Sequence, residues 1–170
     1  SAEGKLDQSA EVAYDARARH CAYFAHAMES RLASLHGPGQ REALTEIAID
    51  LGNLRAAWHW AIKQADADAL SRLADTAYYF WQMQSRYRDG LEALSASIAA
   101  LESQSGEAHA EQVLARLLDY QGWLFLRVGQ LESARQALEA SRACFRRNGD
   151  QFPATFGGDP RTALGVLALI

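Results

Sequence analysis

Apolar side chains recur every three to four residues through six long stretches of this chain, a spacing that matches the turn of an α-helix. Only three prolines interrupt the 170 residues, and the runs of valine, isoleucine and threonine that build strands are missing. The sequence therefore predicts an all-α fold. Helices are expected over residues 9–35, 40–64, 67–83, 87–101, 107–128 and 131–147, with another opening at Pro160, whose fixed φ suits a first helical position. Ser9 can cap the first helix, and Asp66 or Asp68 the third. His36-Gly37-Pro38-Gly39 stops the first, because glycine accepts a left-handed backbone and proline cannot extend the hydrogen-bond ladder. Residues 151–159 read as a loop.

The apolar stripes say how the helices pack. Tyr14, Ala18, Cys21, Ala25, Met28 and Leu32 share one face of the first helix. The second has two stripes, one through Leu44, Ile47, Leu51, Leu54, Trp58 and Ala61 and another through Ile49, Ala56 and Trp60, as expected of a helix held between neighbours in a layered array. Gly52 costs that helix about 1 kcal/mol relative to alanine, which predicts either a close crossing or a break.

The later helices repeat. Gly122, Phe125, Gly129, Ala134, Leu138 and Ser141 follow the spacing of a tetratricopeptide repeat, in which small residues let paired helices cross closely. Ala77, Phe80, Tyr87, Gly90, Leu94 and Ser97 give an approximate second copy, with the connection around Gly106 lengthening the period. The expected architecture is an alpha-alpha superhelix of tetratricopeptide-like hairpins over residues 3–150. Residues 151–170 then form a loop and the first helix of a further repeat. The apolar Leu164, Val166, Leu167, Leu169 and Ile170 would be poorly buried alone, so the array is expected to continue past residue 170.

Composition narrows the function. With 17 basic and 21 acidic side chains interspersed along the chain, no basic stripe exists to follow a phosphate backbone, so no direct nucleic-acid binding by this segment is expected. No apolar run reaches membrane-spanning length and no leader pattern opens the chain, which points to a cytoplasmic protein without a membrane partner. Cys21 and Cys144 lie far apart in helical text and read as buried small hydrophobes. His20, His26, His36, His59 and His109 show no metal-ligand spacing, and no nucleophile–base arrangement stands out, so neither metal, cofactor nor catalytic residue is expected. Carboxylates such as Asp66, Asp68, Glu107 and Glu111 fall at helix starts, where they complement the helix dipole.

Three blocks carry a more specific signal. They are Arg19-His20-Cys21-Ala22-Tyr23-Phe24, then Leu51-Gly52-Asn53-Leu54-Arg55-Ala56-Ala57 running into Trp58-His59-Trp60-Ala61, then Phe80-Trp81 followed by Arg88-Asp89-Gly90. In these blocks the chain resembles, over residues 17–150, the tetratricopeptide-like helical region of large bacterial transcriptional regulators of the signal-transducing ATPase type, relatives of the maltotriose-responsive activator and of antibiotic-pathway regulators. The resemblance implies an upstream ATPase domain with a phosphate-binding loop and a winged-helix domain, and often a DNA-binding domain at one end of the chain. This sequence contains no GxxxxGK[ST] motif, so what carries over is the role of a sensor or oligomerisation arm.

Candidate binding residues concentrate in two hairpins. Trp58, Trp60, Tyr78, Tyr79, Phe80, Trp81 and Tyr87 gather aromatic rings, and four adjacent helical positions point in four directions, so one or two rings are expected to line an exposed surface or groove. His59 lies between two tryptophans. Gln82, Gln84, Arg86 and Arg88 would give those rings a polar rim. Asn53 is expected to hydrogen-bond the preceding helix, and Arg55 to pair with an acid at a seam. Gly90, Gly122, Gly129 and Ala134 are expected to serve close packing and turns. Two function classes follow. One is a non-catalytic module of a larger regulator that binds a small effector or a protein; the other is a freestanding scaffold for protein partners.

Overall fold

The computed structural model describes residues 2–104, 107–149 and 160–168. Eight helices run through them: α1 (Ala2–Leu35), α2 (Gln40–Ile49), α3 (Leu51–Gln64), α4 (Ala67–Met83), α5 (Tyr87–Glu102), α6 (Ala108–Arg127), α7 (Leu131–Arg147) and α8 (Pro160–Leu167). Among the described residues there is no strand, and the protein is all-helical. The expected loop at 151–159 and the connection at Gly106 lie outside the described residues.

The single helix expected over 40–64 is two. The break falls at Asp50, not at Gly52, and it is shallow: Asp50 N–H donates to Glu46 O at 3.0 Å, and Asp50 O accepts from Leu54 N at 2.9 Å, so the ladder bends without being abandoned. Arg31 of α1 holds the corner, with Nη2 2.7 Å from Asp50 Oδ2 and Nε 3.3 Å from Glu46 Oε2. A Cβ on Gly52 would meet nothing within 4 Å, which excludes a close crossing there. Redirecting the helix leaves Ile49, expected on a second buried stripe, 78% exposed.

Helices α1, α4 and α6 form a consecutive inner set, α1 packing on α4 and α4 on α6, while α3, α5 and α7 each pack against members of that set. Neighbours on the outer side barely touch: the α3–α5 contact is slight compared with the α1–α4 contact. One core runs through the array from Cys21, Ala25 and Met28 past Leu70, Leu73 and Leu94 to Leu117, Tyr120 and Leu124. Each fully buried leucine contributes roughly 1.5–3 kcal/mol. A smaller cluster of Ala134, Leu138, Ala163 and Leu167 docks α8.

Three helix ends share one stop signal. Asp66 N–H reaches Ala61 O (2.9 Å) and Ala65 N–H reaches Ile62 O (3.0 Å); Arg86 and Ser85 bond Trp81 O and Gln82 O in the same way, and Gln130 and Gly129 bond Phe125 O and Leu126 O. This paired closure puts its penultimate residue in left-handed backbone, with φ 48° at Ala65, 53° at Ser85 and 76° at Gly129. Only the third is glycine. Ser85→Gly is therefore expected to raise stability by about 0.5–1 kcal/mol, the left-handed penalty less the added chain entropy, and Gly129→Ala to lower it by a similar amount in urea melts. Asp66 supplies the cap of α4, its carboxylate accepting from Ala69 N at 2.9 Å.

The shared turn also gives a register for comparing the two segments that follow it. Superposing the Ser85 turn on the Gly129 turn pairs Trp81 with Phe125, Gly90 with Ala134, Leu94 with Leu138 and Ser97 with Ser141. The sequence alignment that pairs Ala77 with Gly122 and Phe80 with Phe125 slips by one residue along α4. In the register of the turn, Tyr78 stands where the later segment has Gly122.

Candidate functional site

Because α3 and α5 stand apart on the same side of α4, a groove of about 450 Å³ opens between them. Gly90 has a part in this. A side chain there would come within 2.6 Å of Leu124 Cδ1 and 2.9 Å of the Trp81 ring, so its absence lets α5 settle onto α4 and α6. The base is apolar, with Leu73, Ala77, Phe80 and Trp81 from α4 and Met28 and Ile47 behind them. One wall carries Leu51, Leu54, Trp58 and Ile62, the other Ala93 and Ala96. Trp58 and Trp81 meet edge to face with centroids 5.4 Å apart.

Polar groups are confined to the mouth and one end. Arg55 and His59 rise from α3, facing Asp89 and Glu92 on α5. Arg55 Nη2 reaches Asp89 Oδ2 at 3.7 Å, and Arg86 Nε donates to the same carboxylate at 2.7 Å. Trp58 Nε1–H donates to Ser97 Oγ at 2.9 Å, and Ser97 in turn donates to Ala93 O, so the buried indole is satisfied across the two helices. The Arg55–Asp89 pair is exposed on both sides and worth at most about 1 kcal/mol, so it closes the mouth weakly.

The residues singled out from sequence do not form one patch. Trp58, His59, Trp81 and Arg55 line the groove. Trp60 is on another side of α3, edge to face with Tyr14 at 5.0 Å and with the Arg17 guanidinium 6.0 Å from its ring. Tyr78 lies under α6, stacked on Tyr120 at 4.1 Å. Tyr79 packs on His36 and accepts from Gln40 Nε2 at 3.0 Å. Gln84 and Arg88 are exposed at the α4–α5 turn, where Arg88 and Arg86 rim a separate shallow hollow. Of the four adjacent rings, one or two of which were expected at an exposed surface or groove, Phe80 and Trp81 line the groove, while Tyr78 is buried and Tyr79 half-buried, because α4 is enclosed by α1, α3, α5 and α6. Asn53 is exposed, and among the described residues no side-chain hydrogen bond ties it to α1 or α2. Gly122 meets Leu138, and Ala134 is fully buried on α7.

A second polar assembly ties α4 to α6. Tyr120 Oη donates to Asp75 Oδ1 at 2.8 Å, and Arg116 lies 3.2 Å from the same oxygen while also bonding Ser71 Oγ. Burial pushes the Tyr120 hydroxyl far above its ordinary range, with the Asp75 carboxylate adding to the effect. Tyr78 is pushed up to about 12, chiefly by burial, against the opposing bond from Gln82. Burial also raises both thiols, Cys21 to about 11, which keeps them protonated and unreactive. Among the described residues no three His, Cys, Asp or Glu side chains gather closely enough to hold a metal ion, and no helix is long and apolar enough to cross a membrane.

No protein-family model, curated protein or solved structure matches the chain. The groove itself was half legible. Asp89, Glu92, Ala93 and Ala96 share one face of α5 by helical spacing, a signal present in the sequence. That this face opposes Arg55 and His59 is set by the inter-helix geometry, which no local pattern encodes.

Proposed function

We propose that this chain is a non-catalytic, effector-sensing module of a larger ATPase-linked bacterial transcriptional regulator, built as an alpha-alpha superhelix of tetratricopeptide-like hairpins and working in the cytoplasm. The observation that carries the sensing role is the groove between α3 and α5, whose apolar base and polar mouth are the anatomy of a small-molecule site. Its volume falls within the range of about 300–1,000 Å³ usual for such sites. The regulator context rests on the sequence resemblance in the blocks around Asn53 and Gly90. The recurrent turn at Ser85 and Gly129, with small residues at Gly90 and Ala134, supports the repeat architecture. A closed set of inner helices with separated outer ones curves a stack, as a superhelix requires.

Peptide mass spectrometry of the endogenous polypeptide tests the context. Peptides from an upstream phosphate-binding-loop domain on the same chain support the regulator reading. A native polypeptide confined to this segment overturns it and leaves a freestanding scaffold for protein partners.

A further inference from the structure

We infer that the α3–α5 groove binds a small amphipathic cation, an apolar body carrying an ammonium head. This deepens the sensing role proposed above and rests on it. The body is specified by the base: Leu54, Leu73 and Phe80 are wholly apolar, and the indole N–H of Trp58 is taken by Ser97. Water in such a space has few partners, and displacing it by an apolar body is favourable.

The head is specified by what is left over at the mouth. Arg55 already faces Asp89, and Asp89 is shared with Arg86, so both guanidinium groups are engaged with that carboxylate. Glu92, one turn further along α5 and on the same rim, makes no ion pair among the described residues. The carboxylate left without an ion-pair partner at the mouth is therefore that of Glu92. An ammonium group seated there meets Glu92 directly. An anionic head would have to displace Asp89 from Arg55 and approach Glu92 uncompensated.

The probe set is 4-phenylbutylamine, 4-phenylbutanol and 4-phenylbutyrate, three molecules with one body and three heads, titrated into the 170-residue chain while tryptophan fluorescence and melting temperature are recorded. The amine is expected to bind about fivefold more tightly than the alcohol, the gain an exposed ion pair supplies, and the carboxylate most weakly. Glu92→Gln should erase the difference between amine and alcohol while leaving alcohol binding unchanged. Ala96→Trp, which fills the groove from an exposed wall position, should abolish binding of all three without loss of helical circular dichroism. Equal binding of amine and alcohol, or tightest binding of the carboxylate, overturns the assignment of the head. Failure of all three to bind, or binding that survives Ala96→Trp, overturns the groove as the site. These outcomes are separable from the regulator reading: an ATPase domain on the native chain with no amine binding sinks only this inference, and amine binding by a native chain confined to this segment sinks only the regulator context.

Discussion

Gly122→Ala is expected to cost about 2 kcal/mol and to lower the melting temperature by about 4–8 °C, although it adds one methyl group and improves helix propensity. A Cβ at this position would lie 2.5 Å from Leu138 Cγ and 2.8 Å from its Cδ2, with Ala134 O at 3.4 Å. Leu138 is fully buried between Trp123 and the α8 cluster and cannot swing away, so either α7 lifts from α6 or the leucine leaves its rotamer. Gly52→Ala is the control of opposite sign: nothing lies within 4 Å of its Cβ position, so the propensity gain of up to about 1 kcal/mol is free to appear. Leu138→Ala alone should cost about 2–5 kcal/mol by emptying its site. Combined with Gly122→Ala it should cost less than the two separately, because the new methyl enters the space the leucine vacates. Strict additivity in denaturant melts would show that the α6–α7 contact is not where the strain arises.

What could be read from sequence divides by whether the signal is local. The bounds of α4 and α7 follow from periodicity and turn chemistry alone, and the structure places them at Ala67–Met83 and Leu131–Arg147 as that reading expects. The break that Gly52 suggested falls two residues earlier, at Asp50, where Arg31, nineteen positions upstream, shares its guanidinium between Glu46 and Asp50, a contact no local pattern encodes. Gly52 attracted attention because glycine is expensive in helices, yet it lies exposed beside the bend without producing it. The aromatic run on α4 was legible in part, since Phe80 and Trp81 line the groove as expected of one or two of its rings. Angular spacing forbids four rings on one face, but it does not forbid four different neighbours, and counting neighbours needs the tertiary arrangement. The groove shows both limits together: Trp58, His59 and Arg55 stood out by type, while Glu92 and Ala96 acquire meaning only once α5 is placed opposite α3.

Asp75→Ala is expected to destabilise the chain by about 2–3 kcal/mol, more than a partly exposed carboxylate would ordinarily cost. Asp75 is 23% exposed and Arg116 15%, so the pair is screened less than a surface bridge and more than a dry one. Removing the carboxylate strips Tyr120 of its acceptor as well, and that hydroxyl is buried against Tyr78 where water does not replace the bond. Tyr120→Phe takes away the hydroxyl and the need for the bond together, so it should cost only about 1 kcal/mol, and the double variant should cost less than the sum. Alkaline unfolding gives an independent reading. Tyr120 and Tyr78 have folded pKa values raised above the ordinary 10, so the folded state holds their protons after the unfolded chain has released them. Their contribution is complete below about pH 10 and is lost as pH climbs above it, by up to about 1.4 kcal/mol per unit for each buried hydroxyl. Urea melts at successive pH values should therefore hold level through neutrality and fall steeply past pH 10, and Tyr120→Phe should make that fall shallower. An unchanged alkaline slope in Tyr120→Phe would mean that this hydroxyl is open to solvent, and the α4–α6 seam would then owe its stability to apolar packing around Leu73, Leu117 and Leu124 rather than to the Asp75 assembly.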